Sequence, residues 1–144
     1  MRASLVVGLL IAAVVSTPCW AAGIGRIKTV AGIAPVVRGT ASIPATPGLV
    51  LSVNDVLTTG KGGRIGITFI DNSRFAVGPN AKISLASFEF DQTTHKGSSL
   101  TQVDRGSLAI VSGQIAKENK DAMRVRTPTS LLAARGTNFV VTVP

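Results

Sequence analysis

Tyrosine is absent from this chain of 144 residues, and cysteine, tryptophan and histidine occur once each, as Cys19, Trp20 and His95. One thiol and one imidazole cannot assemble a His/Cys metal cage or a Cys–His catalytic pair. No GxSxG, HExxH or CxxC pattern is present either. Acidic side chains are scarce: 7 Asp and Glu stand against 15 Lys and Arg, for a formal charge of +8. These scarcities point away from an enzyme and towards a binding or structural domain, with no cofactor or metal expected. What is abundant is apolar surface and turns. The 45% apolar share excludes a disordered or collagen-like chain, and 15 Gly with 7 Pro supply many turns.

Residues 1–21 read as a secretory signal peptide. Arg2 precedes an uncharged apolar run over 5–15, and Ser16, Thr17 and Pro18 break it. Cleavage after Ala21 places Ala at −1 and the small Cys19 at −3, whereas cleavage after Ala22 puts bulky Trp20 at −3. Two alternatives fit less well. An uncleaved anchor needs ~20 apolar residues, and Pro18 does not suit lipidation of Cys19. Export predicts a periplasmic protein starting at Ala22, one domain over 22–144, with no transmembrane segment after cleavage. That mature chain has no thiol, which suits an oxidising periplasm.

From Ile24 onward the apolar residues recur with period two. Ile65, Ile67 and Phe69 alternate with Arg64, Gly66 and Thr68. Phe75 and Val77, Ile83 and Leu85, Phe88 and Phe90, Leu108 and Ile110, Met123 and Val125, and the run Phe139, Val141, Val143 repeat the pattern. Asp71-Asn72-Ser73 between two such runs reads as a tight hairpin turn. Gly60-Lys61-Gly62-Gly63 and Gly78-Pro79-Asn80 read as further turns. Short strands with frequent turns predict an all-β fold, an antiparallel sandwich or jelly-roll-like roll. Ile65, Ile67, Phe69, Phe75, Ile83, Leu85, Leu108, Ile110 and Phe139 are the expected core. A helical turn over 129–134 is the one departure considered, and 95–99 and 117–121 read as exposed polar loops.

Few side chains invite chemistry. Glu89 and Asp91 share a strand face, but Phe88 and Phe90 claim the inward side, so the acids are expected to face water. His95 sits in a polar loop without a second ligand nearby. The Gly60–Gly63 turn lacks phosphate-loop spacing and is followed by a strand pattern, not a helix. The basic residues are scattered, with Lys117, Lys120, Arg124 and Arg126 the densest set. These four are the candidate contacts to an anion. Nucleic acid is not expected as the partner, because no Tyr or Trp stands ready to stack on bases and the chain reads as exported.

Several segments together resemble the FecR domain family. They are Thr29-Val30-Ala31-Gly32 with 34–38, then Asn54-Asp55-Val56-Leu57-Thr58-Thr59-Gly60, then 65–69 with Asp71-Asn72-Ser73, then Gly78-Pro79-Asn80-Ala81, and finally Thr127-Pro128 followed by Arg135-Gly136-Thr137-Asn138-Phe139. The resemblance spans about 27–143. It implies a β-rich, jelly-roll-like periplasmic domain that binds protein partners and does not catalyse. The founding member is an iron-citrate signalling regulator whose periplasmic part contacts a TonB-dependent transporter. Asn54 and Asn72 stand where the family usually has Gly, and Asn is the residue that best replaces Gly at positive φ. No segment here reads as a cytoplasmic regulator or a span, so the sigma-regulating role is not expected to transfer. An exported FecR-like module for an envelope protein or cell-wall component is the leading expectation. The alternative is a cationic binder of an anionic envelope polymer or a small anion.

Within that pattern, Arg135-Gly136-Thr137 is expected to be structural. Gly136 suits a bend into the last strand, Thr137 can close it with its hydroxyl, and Arg135 is matched with Asp55 or Asp71. The rival role for Arg135 is an exposed grip on an anionic partner.

Overall fold

The computed structural model of the chain describes residues 23–133 and 138–144. The leader assigned to 1–21, and Arg135, Gly136 and Thr137, lie outside the described residues. In chain order the elements are β1 (Gly25–Ala31), β2 (Pro35–Arg38), β3 (Ala41–Pro44), β4 (Val50–Leu51), β5 (Val56–Thr58), β6 (Arg64–Phe69), β7 (Arg74–Val77), β8 (Lys82–Phe90), β9 (Gly97–Val111), α1 (Gln114–Glu118), β10 (Met123–Arg126), β11 (Leu131–Ala133) and β12 (Asn138–Val143). The fold is all-β, a curled and almost wholly antiparallel sheet, as the alternation predicts.

Two layers share the long strand β9. The first layer runs β4-β1-β6-β7-β9-β12, using residues 106–111 of β9. The second runs β3-β2-β5-β8-β9-β10-β11, using the earlier half of β9. Only β10 lies parallel to its neighbour, with Met123 opposite Ser99 and Arg126 opposite Gln102. That direction follows from α1 and residues 119–122, which carry the chain back along β9 before β10 begins. A parallel neighbour always needs such a crossover.

The layers are one sheet folded along a crease. β1 continues into β2, β5 into β6, and β7 into β8, each crossing from one layer to the other, while β9 crosses within itself. The crossings are hydrogen-bonded to one another in a row. Gly60 N–H donates to Ile33 C=O (2.9 Å), Thr59 N–H to Ala81 C=O (3.0 Å), Asn80 N–H to Gly60 C=O (3.1 Å) and Gly78 N–H to Ser107 C=O (2.9 Å). Gly106 makes the turn inside β9: its φ is +88°, and a Cβ there would lie 2.5 Å from the Cα and Cβ of Ala81. Such a bend next to a shifted register is the work of a bulge, and here the shift falls between Lys82 and Ile83 on β8.

Folding the sheet turns the apolar rows of both halves towards each other. Ile65, Ile67, Phe69, Phe75, Ile83, Leu85, Leu108 and Ile110 are buried in one cluster, and Phe139 packs against it half-buried. Phe69 sits at the centre of a ring cluster. Phe75 meets it edge-on at 4.5 Å and Phe88 stacks at 5.4 Å.

Three local expectations are corrected. Residues 131–133 form strand β11 against β10, not a helical turn, because Leu131, Leu132 and Ala133 pair with Arg126, Val125 and Arg124. Gly97, Ser98 and Ser99 belong to β9, where they pair with Phe90, Glu89 and Phe88, and are not a loop. Lys117 lies on α1, whose Ile115 and Ala116 are buried. A helix this short, with no side-chain cap at Gly113, leaves no apolar repeat to detect.

Candidate functional site

The turn residues singled out by sequence point into the fold. Asp55 has no exposed surface and closes the β4–β5 turn. Arg38 grips its carboxylate with two prongs, Nε to Oδ1 at 2.9 Å and an Nη to Oδ2 at 2.8 Å, while Ser52 N–H donates to Oδ2 at 2.9 Å. The hydrogen bond to Asp55 raises the pKa of the guanidinium; partial desolvation opposes the rise and the carboxylate charge adds to it. Asn54, beside it, has φ +72°. Removing Arg38 leaves a carboxylate that is 1% exposed with far weaker compensation, though the guanidinium itself is 40% exposed and water can partly replace it. Arg38→Gln is therefore expected to cost about 2 kcal/mol, read as a lower urea midpoint with unchanged slope.

Thr59 ties two crossings of the crease together. Its hydroxyl donates to Gly78 C=O at 2.6 Å and accepts Ala81 N–H at 2.9 Å. Thr59→Val keeps the shape and strands a buried donor and acceptor. A loss of roughly 1–3 kcal/mol is expected, with Thr59→Ser retaining most of the melting temperature.

The β6–β7 turn is likewise internal. Asp71 is fully buried; its Oδ1 accepts the Ser73 N–H (3.1 Å) and hydroxyl, and Oδ2 takes the Ile115 N–H at 3.4 Å. Asp71 C=O also accepts Gln114 N–H at 2.8 Å, so this turn seats the start of α1. Asn72 has φ +68°. Arg38, 17 residues before Asp55, thus occupies the place that sequence reasoning had offered to Arg135. No local pattern marks a pair so far apart in the chain.

The basic set is only partly assembled. Arg124 and Arg126 line a shallow groove of about 450 Å³ with Asn119, Asp121 and Leu131, whereas Lys117 and Lys120 do not line it. Arg124 Nε donates to the Asp121 carbonyl at 2.9 Å, and the Asp121 carboxylate lies in the same stretch of surface. Glu89 and Asp91 are exposed. Asp91 accepts the N–H groups of Thr93 (2.8 Å) and Thr94 (3.3 Å), which holds its carboxyl below the usual range. His95 stacks on Phe90 at 6.2 Å. Among the described residues no cluster of His, Cys, Asp and Glu is placed to hold a metal, and no helix is long and apolar enough to cross a membrane.

Register assembles a different set of cations. On the outer face of the first layer, Arg26, Thr68, Arg74, Val111 and Asn138 stand opposite one another in one row. Two residues along each strand lies a second row, Thr29, Gly66, Ala76, Ala109 and Val140, with Arg64 beyond it. The second row floors a hollow of about 300 Å³ that Arg64 and Ser107 also line.

A model of one protein family, described as FecR protein, matches residues 55–143. None of the curated proteins and none of the solved structures compared with the chain gives a match. Strands β1 to β4 precede the matched span, yet β1 pairs with β6 and β2 with β5, both inside it.

Proposed function

The chain belongs to the FecR family, and from that membership we propose that it is an exported, non-catalytic interaction module of the bacterial envelope. The family is one of signalling and regulation. What carries the reading is the direction in which the polar turn residues face. Asp55, Thr59, Asp71 and Ser73 are buried and hydrogen-bonded within the fold, so they build a scaffold whose outer faces are left for recognition. The partner is an envelope protein or cell-wall component. The expected leader over 1–21 supports the periplasm as its place.

The test is expression of the full chain in a Gram-negative host, with a photo-crosslinking residue at exposed positions such as Thr29 and Lys117. Mass spectrometry should find a mature N-terminus at Ala22 in the periplasmic fraction, and irradiation should yield a discrete adduct with an envelope component. An intact or acylated N-terminus, or no adduct from any exposed position, overturns the reading. The alternative, a cationic binder of an anionic polymer or small anion, is favoured by the excess of Lys and Arg. It predicts that binding weakens steeply with ionic strength.

A further inference from the structure

We propose that the outer face of the first layer is the docking surface of this module, and that its occupant is an extended acidic polypeptide segment. The inference rests on the reading above and names the site and the chemistry of the partner. None of the described strands of that layer carries an Asp or Glu: β1, β4, β6, β7, residues 106–111 of β9, and β12 contain only Arg26, Lys28, Arg64 and Arg74 as charged residues. Asp71, in the turn between β6 and β7, is buried beneath the face. All four cations are exposed. The groove on the second layer, by contrast, mixes Arg124 and Arg126 with Asp121. Single-sign charge on a face raises the local concentration of an anionic partner and discriminates against basic ones.

The shape favours a peptide strand over other polyanions. The row Thr29, Gly66, Ala76, Ala109 and Val140 crosses five strands, a length of about 19 Å at the usual strand spacing. Roughly six extended residues cover it. Glycine and alanine keep the floor low enough for a backbone to lie on. Thr29 and Ser107 turn their hydroxyls over Gly66 and Gly78, where a Cβ would meet them, and so offer hydrogen bonds to peptide groups. Arg64 flanks the floor on one side, with Arg26 and Arg74 on the other, about 13 Å apart along the strands. An extended peptide sends successive side chains to opposite sides, so carboxylates at neighbouring positions reach both flanks. Arginine forks suit carboxylates. The face presents no aromatic ring for a sugar or base to stack on, since Phe69 and Phe75 point into the core.

The experiment uses the purified full-length mature protein and fluorescent poly-L-glutamate, with polyphosphate as a second probe. Two triple variants are compared, R26Q/R64Q/R74Q on the proposed face and K117Q/K120Q/R124Q elsewhere. Each removes the same charge from exposed positions, and a thermal melt confirms that each is folded. Poly-L-glutamate affinity is expected to fall about tenfold or more in the first variant and much less in the second. A further variant, Ala76→Glu, places an acid on the floor and should abolish binding while leaving the melt unchanged. Equal losses in both triples, no binding by the parent protein, or a polyphosphate affinity that depends on the face more than the polyglutamate affinity does, each overturns the proposal. Failure of the module itself looks different: polyglutamate binding stays on this face while no protein adduct forms in the cell. Adducts that form only through other faces sink the docking site and leave the module standing.

Discussion

Replacing Phe69 by alanine is expected to lower the unfolding free energy by about 3–5 kcal/mol. Phe69 is 3% exposed and belongs to the row that faces the second layer. Its ring touches Phe75 from the first layer and Phe88 from the second, so truncation opens a cavity at the junction of both halves. Neither neighbour can collapse into it, because each is fixed on a different strand of the folded sheet. Urea unfolding followed by circular dichroism measures the loss. Phe69→Leu, which leaves a smaller void, should lose less. A midpoint unmoved by Phe69→Ala would mean that the two layers do not meet at this ring.

Gly106→Val is expected to be as severe, for a different reason. A β-branched residue at φ +88° costs roughly 1–3 kcal/mol in backbone strain alone. Its Cβ would also sit 2.5 Å from both Cα and Cβ of Ala81, and forcing such a contact adds about another 1–3 kcal/mol. Ala81 has no exposed surface and no room to retreat. Gly106→Val should therefore accumulate poorly or melt far below the parent. Pairing it with Ala81→Gly removes the Cβ contact but not the strain, and should recover only part of the loss. Full recovery would show that crowding alone, and not the backbone angle, fixes glycine at the crease.

The strands were legible because one face of each is buried, which writes a period of two into the sequence. Ile65 to Phe69 and Phe139 to Val143 show it plainly. Turn residues were legible for the same kind of reason: Asn54, Asn72 and Asn80 take positive φ, and few other side chains tolerate it. Their arrangement was not. Gly60–Gly63 and Gly78–Asn80 read as separate turns, since nothing local reveals that each is bonded to the next along one crease. Gly106 inside an apparently regular strand gave no signal. The parallel pairing of β10 and the short α1 depend on where the chain returns, which a window of a few residues does not contain.

The cations make the same point in reverse. Lys117, Lys120, Arg124 and Arg126 are close in sequence and were taken together, yet only Arg124 and Arg126 share a groove. Arg26, Arg64 and Arg74 are far apart in the chain and looked scattered. The antiparallel register of β1, β6 and β7 sets them on one face. Proximity along the chain is a poor guide to a surface patch in a sheet, where neighbours in space come from distant strands.

The crease also governs where this chain can change length. Adding or deleting one residue between a hairpin tip and the fold line would turn that strand's apolar row outward and pull its crossing out of line with the next. Four crossings joined by hydrogen bonds must stay in step, so relatives should keep the strand lengths on both sides nearly constant. The tip between β8 and β9 is under no such constraint. Residues 91–96 are exposed, and Asp91 hydrogen-bonds there only to Thr93, Thr94, His95 and Lys96. Insertions, tags or a grafted loop belong at that end, where the sheet can lengthen without being refolded.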